Sequence, residues 1–599
     1  MRIFNSKTLL FSGVLLSLSQ VQALEFGGMG NISASMGGAG VALKNSQWGL
    51  YYNPALLGTT KKYRFAYSFG ATIRDHNLLK LANVDIKNLQ SLPSQISGIF
   101  STTQKAVSRG VSSASGTTLL GASTLAANDS LELPDGYFGE VIKNLLGNGS
   151  GGNGTFTEGD LAKFLGSVAG NSMGNENDLD KAVENFKKVA QENPEKILGD
   201  IQDKLLQASA SAGGNALLDS IIKNLDSDSV SGLADLLKDA SKGDIDVSKV
   251  VGALNGVEIS QNGDASLSKA IKDIQTIENT LKSNNFSLSS QNGLVFQTKP
   301  NDDVGGFGIG IFGSAFASGS ASFDSTHNRL IIDAGGQYVE LGISGDKITL
   351  DLVGSSAKAS GTSSGNGKDI YDSSSVFSDS AKHNISLSGL IVGEVPVGYG
   401  HSINIGAGEI SVGMTLKYLY GVGYHVSKTG NFNTLSGISL GNAPTMSHNF
   451  GIDIGALYSI KGFSVGFVAK NINEPALKLS ETEKIYLNPQ LRAGIAYQAG
   501  FFSLAFDADL LPNHTLSYVA PKNQMVGGGM MFDFKYVDVR VGTMYDLRNP
   551  FNEGVIFTGG INLFGFLDIA VQSNTHLTQI RGMNIPSYFS LKVGGGFSW

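Results

Sequence analysis

The sequence predicts a β-barrel that spans a membrane, on three observations. From about residue 386 to residue 599, segments of about ten residues alternate apolar with small or polar side chains again and again. Ile410, Val412, Met414, Leu416 and Tyr418, for instance, interleave with Ser411, Gly413, Thr415 and Lys417. Successive strand side chains point to opposite faces, so each segment carries one apolar and one polar face. Second, the segments have the length a tilted strand needs to cross a bilayer, and very short turns alternate with longer loops between them. Third, aromatic residues crowd the short turns: Tyr458 and Phe463, Tyr497 and Phe501, Phe534 and Tyr536, Phe564 and Phe566. That is the pattern of a girdle at one membrane interface.

Composition agrees. The 599 residues include 78 glycines and 13 prolines, and 16% are charged, which suits strands with a small-residue face and is poor for a disordered chain. A net charge of −7 argues against nucleic acid as a partner. With no cysteine, disulfides and thiolate metal sites are excluded. The eight histidines show no helical pair spacing, so no zinc site is expected. No cofactor and no enzymatic activity are predicted.

Taken from the N-terminus, Arg2 and Lys7 flank an apolar run over residues 9–18, followed by Val21-Gln22-Ala23. This layout predicts a signal peptide, residues 1–23, cleaved after Ala23; the run is too short to span a bilayer. A first strand is predicted at 62–74, where Tyr63, Phe65, Tyr67 and Phe69 alternate with Arg64, Ala66, Ser68 and Gly70. The period then changes. Leu179, Ala182, Val183, Phe186, Val189 and Ala190 recur at helical spacing, as do Leu267, Ala270, Ile271, Ile274, Ile277 and Leu281. Pro194 suits a first helical turn, and Thr157 with Asp160 resembles a capping box. Residues 75–284 are therefore a large α-helical insertion of short amphipathic helices. Strands resume over 285–317, and a second, Ser/Gly-rich insertion at 318–385 contains a hairpin over 330–352 and a stretch, 354–380, of mobile-loop composition. Residues 386–599 supply the remaining strands. The last ends with Phe589, Leu591, Val593, Phe597 and Trp599 on one face, an arrangement that resembles the assembly signal of outer-membrane barrels.

The segment 24–61 reads Met36-Gly37-Gly38-Ala39-Gly40-Val41-Ala42, then Tyr51-Tyr52-Asn53-Pro54-Ala55. It resembles the hatch of the FadL-like long-chain fatty-acid transporters, and more closely the branch described as TraF-type conjugal transfer proteins. Residues 394–400 (Glu394-Val395-Pro396-Val397-Gly398-Tyr399-Gly400), 416–421 and 470–475 (Lys470-Asn471-Ile472-Asn473-Glu474-Pro475) agree with that branch. The resemblance covers about the first 75 residues and those after about 285. It implies an all-β transmembrane barrel of 14 antiparallel strands whose N-terminal segment folds into the lumen as a plug. Fourteen segments can indeed be placed: 62–74, 288–299, 304–317, 386–400, 408–425, 447–459, 462–472, 488–498, 501–511, 524–534, 536–546, 554–563, 566–574 and 587–598. With both ends periplasmic, both insertions fall on the extracellular side, and the short turns at 299–305, 459–462 and 499–500 fall on the periplasmic side.

Three short motifs lose to plainer explanations. Gly462-Phe463-Ser464-Val465-Gly466 matches a hydrolase elbow, but it opens a strand beside a tight turn, not a helix. Gly308 to Gly313 matches a dinucleotide fingerprint without the helix or the acidic partner. Residues 149–160 echo an EF-hand loop, yet Gly149 and Gly151 stand where side-chain oxygens are needed. The wet-face charges carry more weight: Glu394, Lys417, Asp453, Lys470, Arg492, Asp507, Asp509, Asp538, Arg540, Asp568 and Lys592 all fall on the small-residue face. They predict lumenal ion pairs that hold the plug, with direct substrate contact as the sharper alternative. Asn53, Pro54 and Ala55 are expected to anchor the plug.

The function expected from this reading is passive transport of small hydrophobic, fatty-acid-like molecules across a bacterial outer membrane, gated by the plug. The alternative is a surface-displayed recognition or conjugal-transfer protein in which residues 75–284 bind a cell-surface partner. Outer-membrane lipid surrounds the barrel in either case.

Overall fold

The computed structural model describes residues 28–89, 141–145, 158–170, 178–225, 257–260, 265–353, 374–435, 443–548 and 554–599, apart from single residues and stretches of up to four residues within them. Residues 1–23, expected to be a signal peptide, Thr157 of the expected capping box, residues 149–157 of the glycine-rich stretch and residues 354–373 lie outside the described residues.

Fourteen strands close into one barrel. In chain order they are β1 Arg64–His76, β2 Asn285–Gln297, β3 Gly306–Ser322, β4 His383–Ile405, β5 Gly408–Gly430, β6 Thr445–Ile460, β7 Phe463–Lys470, β8 Gln490–Ala499, β9 Phe502–Asp509, β10 Met525–Phe534, β11 Val537–Asp546, β12 Val555–Leu563, β13 Leu567–Asn574 and β14 Tyr588–Ser598. Every strand pairs antiparallel with its sequence neighbours. The ring closes where β1 meets β14, from Arg64 opposite Ser598 to Arg74 opposite Tyr588. Closure leaves no unpaired edge, which is what a strand structure needs to sit in hydrocarbon.

The outer face is a band of large apolar side chains, among them Ile391, Val397, Val412, Leu416, Phe467, Ile495, Phe557 and Leu591, all exposed. So much exposed apolar surface on one face calls for lipid, not water. The aromatic pairs form the rim: Phe463 packs on Tyr497, Phe501 on Phe534, Tyr536 on Phe564, and Tyr63 stacks on Trp599. The connections sort by end. Two-residue turns join β4 to β5 and β6 to β7, whereas 77–284 and 323–382 emerge at the opposite end.

Strands β4 and β5 run for 23 residues each, well past the ends expected from alternation. At about 3.4 Å per residue they reach far beyond a hydrocarbon core of about 30 Å, even when tilted. Their far ends are accordingly polar. Asn384 donates to Ser427 and Thr429 (both 3.0 Å), and Ser388 meets His425 at 3.0 Å.

Inside the ring lies the N-terminal segment, with helices α1 Asn31–Ser35 and α2 Gly49–Tyr52 followed by a 3₁₀ turn, Pro54–Gly58. Nearly all of its side chains are buried.

The chain between β1 and β2 carries α3 Glu158–Val168, α4 Leu179–Glu192, α5 Pro194–Ser211 and α6 Ala265–Lys282. Asp178 caps α4 by accepting from the Lys181 amide, and Pro194 occupies the first turn of α5. Leu179, Ala182, Val183, Phe186 and Ala190 are buried, as their spacing predicts. On α6, Ala270 is buried and Ile274 and Ile277 are partly so; the side chains of Leu267, Ile271 and Leu281 lie outside the described residues.

One expectation changes. The hairpin read at 330–352 is a meander of Ile331–Ala334, Gln337–Ser344 and Lys347–Val353, and Val257–Ser260 from the helical insertion adds a fourth strand beside Lys347–Val353. Ile332, Val339 and Leu341 share one core with Phe186, Ile197 and Ile201 of the helices. The two insertions thus build a single α/β cap, because neither a lone hairpin nor short amphipathic helices can bury an apolar face alone.

Candidate functional site

The plug seat is the site. Asn53 has extended backbone, and its Oδ1 accepts the Ala55 amide (3.0 Å), capping the turn that Pro54 opens. Its Nδ2 donates to the Val41 carbonyl within the plug (2.9 Å) and to the Ala456 carbonyl on β6 (3.2 Å). One side chain therefore ties two plug segments to the wall. The Pro54–Ala55 peptide lies against Gly400 and Gly413, where any Cβ would come within 2.6 Å of it. Gly400 and Gly413 thus let plug backbone touch strand backbone, and Gly398 makes room for the Leu50 and Leu57 side chains.

Other ties surround the segment. Asn31 donates to the Asp568 carbonyl (2.6 Å) and accepts from Ser68 (2.7 Å). Gln572 donates to the Ala34 carbonyl (2.7 Å), and Thr558 bridges the Ser35 carbonyl (2.8 Å) and the Gly37 amide (3.0 Å). Asp507 accepts from the Gly40 and Val41 amides. Arg64 donates to the Lys44 and Ser46 carbonyls (both 3.0 Å), and Lys44 reaches Glu409 at 2.8 Å. The ties come from β1, β5, β6, β9, β12 and β13.

The charged residues singled out from alternation are lumenal, and most of them pair within the wall. Lys417 meets Asp453 (3.0 Å) and Glu394 (3.5 Å), and Asp453 also accepts the Asn471 amide (2.8 Å). Lys470 sits 3.6 Å above the Tyr51 ring, a cation–π contact from wall to plug. Arg492 pairs with Asp509 (2.7 Å) and reaches the Gly38 carbonyl at 3.4 Å. Arg540 grips Asp568 through both oxygens (2.8 and 3.0 Å) and pairs with Asp538. Of the set, Asp507, Arg492 and Lys470 touch the plug through their side chains; Glu394, Lys417, Asp453, Asp509, Asp538, Arg540 and Asp568 brace neighbouring strands, and Lys592 does neither.

Alternation did not single out Asn31, Gln572, Thr558, Lys44 or Glu409. Neutral side chains on the wet face are individually unremarkable, and a contact between residues 365 apart depends on the path of the plug.

Ser464 of the elbow-like motif follows the tight turn Lys461–Gly462 into β7, so no strand-to-helix elbow forms. Gly308 to Gly313 lie in mid-strand on β3.

Two small lumenal cavities, about 70 and 60 Å³, adjoin above the plug and share Thr72, Arg74, Ser289, Phe316 and Asn523. A much larger apolar groove, about 850 Å³, is lined chiefly by outward residues such as Ile495, Phe506, Met530 and Val541, which puts it on the lipid side.

Comparison with known proteins gives one sequence match. Residues 216–509 match the family model described as "F plasmid transfer operon, TraF, protein". No curated protein matches the chain. Among solved structures, the chain aligns with a deltaS2 mutant of the TodX monoaromatic hydrocarbon channel at 8% identity and a TM-score of 0.36, over 96% of this chain and 99% of that one. It also aligns with a porin mutant of Rh. blastica at 13% identity and a TM-score of 0.19, over 52% and 92%. For Salmonella typhi OmpF in complex with daunomycin the values are 10% and 0.21, over 53% and 92%. The family match begins inside the cap and ends with β9, so it takes in residues 394–400, 416–421 and 470–475 but not the plug motif. The resemblance read from those motifs therefore holds in a firmer form: across residues 216–509 this plugged, fourteen-stranded barrel is similar to the TraF proteins of the F plasmid transfer operon.

Proposed function

We propose that this protein is a passive outer-membrane channel, with residues 29–58 as the gate and small hydrophobic molecules as the transported class. The carrying observation is the plug seat: the segment fills the closed ring, and polar ties reach it from strands on all sides. A solute can pass only if part of that seat opens. Each hydrogen bond contributes about 1 kcal/mol net, so a section of the plug can leave without unfolding the barrel. The hydrophobic class comes from the resemblance at the Gly37–Val41 and Tyr51–Ala55 motifs, and Asn53, Pro54 and Ala55 act in this reading as the anchor about which the rest moves.

The test uses the absence of native cysteine. Asn31 and Ser68 touch across the plug–wall boundary, so Asn31→Cys with Ser68→Cys should lock the plug when oxidised. Uptake of a long-chain fatty acid should stop in oxidised cells and return on reduction. Unchanged uptake with the lock closed would remove the plug as gate.

One observation favours a second reading, display of the cap for cell-surface recognition. The family match includes α6 and all four strands of the cap sheet. Loss of partner-cell contact in a cap deletion that keeps normal uptake would support that reading over transport.

A further inference from the structure

The 60 Å³ cavity above the plug takes polar and charged side chains into its lining, although the transported class proposed above is hydrophobic. Their lining explains why. Lys592 on β14 points to the lumen and is 4% exposed, and Gln291 on β2 is 8% exposed; both line the 60 Å³ cavity. Among the described residues, neither side chain has a hydrogen-bond or ion-pair partner, whereas Lys417, Arg492 and Arg540 each have at least one carboxylate within 3.0 Å. Lysine and arginine side chains elsewhere in the lumen have carboxylates, as those three do, or a ring or carbonyls, as Lys470 and Arg64 do; Lys592 has none of these among the described residues.

The backbone makes room for this lysine. Gly70 is paired opposite Lys592, and a Cβ at Gly70 would come 2.4 Å from the lysine Cγ. The aliphatic stem therefore lies across a bare glycine and carries the ammonium into the cavity. Around it stand Thr72, whose hydroxyl meets Ser590 at 2.8 Å, and Tyr588, whose hydroxyl donates to Gln572 at 2.7 Å. Arg74 lies over the Tyr588 ring at 5.1 Å and lines the same cavity. The one carboxylate in the lining, Asp507, already accepts two plug amides.

A buried cation with no counter-charge costs several kcal/mol unless an anion accompanies it. We infer that this cavity is a binding site for a small oxyanion, a carboxylate or a phosphate, held by the Lys592 ammonium and the Gln291 amide directly above the plug. A volume of about 60 Å³ holds a few water-sized groups, since one water needs roughly 10–15 Å³, which suits a small oxyanion with a water or two. The plug supplies the floor through Gly28, Gly37 and Gly38, so occupancy and plug position are coupled.

The test is equilibrium binding to the purified full chain in a neutral detergent, by calorimetric titration with inorganic phosphate and with acetate at constant ionic strength. One saturable site is expected for at least one of the two ions; a carboxylate site responds to acetate and a phosphate site to phosphate. Lys592→Gln should weaken that site about tenfold or more, the usual consequence of removing one partner of a buried charge contact. Gln291→Leu should weaken it less, and it takes over the test if Lys592→Gln does not assemble into a heat-modifiable barrel. Absence of saturable binding with both ions overturns the inference, as does affinity unchanged in the assembled variant. Binding at equilibrium does not require passage, so a negative result leaves the plug-gated channel standing, and blocked uptake in the locked variant is decided separately.

Discussion

Asp507 on β9 accepts the backbone amides of Gly40 (2.8 Å) and Val41 (3.0 Å) through one carboxylate oxygen. A carboxylate holding two amides is a stronger tie than the neutral bonds elsewhere around the plug, because hydrogen bonds to a charged group contribute about 1.5–3 kcal/mol. Asp507→Ala should therefore loosen the middle of the plug while the strands keep their pairing. The readout is single-channel conductance in planar bilayers: more frequent or larger openings than in the native protein. A folded variant with native conductance would show that this tie does not hold the gate.

Two adjacent glycines should behave differently. Gly37 and Gly38 both have positive φ, 65° and 82°, so alanine is strained at either. At Gly37 an added Cβ would also lie 2.2 Å from the Thr543 carbonyl oxygen and 2.6 Å from the Gly528 amide, whereas at Gly38 nothing lies within 4 Å. Gly38→Ala should cost only the left-handed backbone strain, about 1–2 kcal/mol. Gly37→Ala must push the plug off the wall. Limited proteolysis of assembled barrels should cut the plug of the Gly37 variant and spare that of the Gly38 variant; equal sensitivity would contradict the close approach.

Arg540 on β11 is the keystone of a wall cluster, fully buried between Asp538 and Asp568. Removing one member of a buried ion pair typically costs about 3–5 kcal/mol, because the remaining charge is stranded. Arg540→Ala should lower the denaturant midpoint of the assembled barrel by a corresponding amount. Adding Asp538→Asn and Asp568→Asn should recover part of it. Failure of the triple variant to recover would mean that Arg540 contributes by packing and not by charge.

Alternation with period two exposed the barrel itself. It placed β7 at 462–472 against the observed Phe463–Lys470, and it assigned Lys417 and Asp453 to the wet face where they meet. It could not say which wet-face charges pair, since that depends on register between strands and on the route of the plug. Nor could it show that β4 and β5 overshoot the bilayer, because their outer ends keep the same alternation, with Asn384, Ser386, Ser388, Ser427 and Thr429 on one face and Ile385, Leu387 and Val426 on the other. The cap sheet was hidden for another reason: Val257–Ser260 is four residues long and lies in a helical neighbourhood, and its partner lies 87 to 93 residues away in the second insertion. Asn53, Pro54 and Ala55 stood out through the family-like motif they belong to; its local part is that an asparagine before proline favours a turn, and Asn53 does cap one.

The cap's base carries a pH dependence of definite sign. Asp324, just after β3, accepts the Lys382 amide (2.9 Å) that leads into β4 and also binds His327 (3.0 Å) and Thr326. Burial alone would raise its carboxyl, but the hydrogen bonds from Thr326, the Lys382 amide and His327 outweigh that and hold it well below the usual range. A carboxylate depressed on folding stabilises fully above its unfolded pKa, near 4, and loses that contribution as pH falls below it. Asp324→Asn should therefore speed exchange of the Lys382 amide at pH 7, with the gap from the native protein closing steadily below about pH 4. A gap independent of pH would mean that the charge is not what closes this corner.

Sidedness follows from the connections. Residues 77–284 and 323–382 leave one end of the barrel, and Gly406-Ala407 and Lys461-Gly462 close strands at the other. In outer-membrane barrels the short turns face the periplasm and the long loops face outward, so the cap is expected outside the cell. A cap with its own apolar core, built from Phe186, Ile201 and Val339, is suited to water and not to hydrocarbon. The cysteine-free chain allows a direct test with one probe at each end. Glu184 on α4 and Lys461 in the β6–β7 turn are both exposed. A membrane-impermeant maleimide added to intact cells should label Glu184→Cys and leave Lys461→Cys untouched until the outer membrane is permeabilised. The reverse pattern would turn the barrel over and place the cap in the periplasm, where it could meet no surface partner.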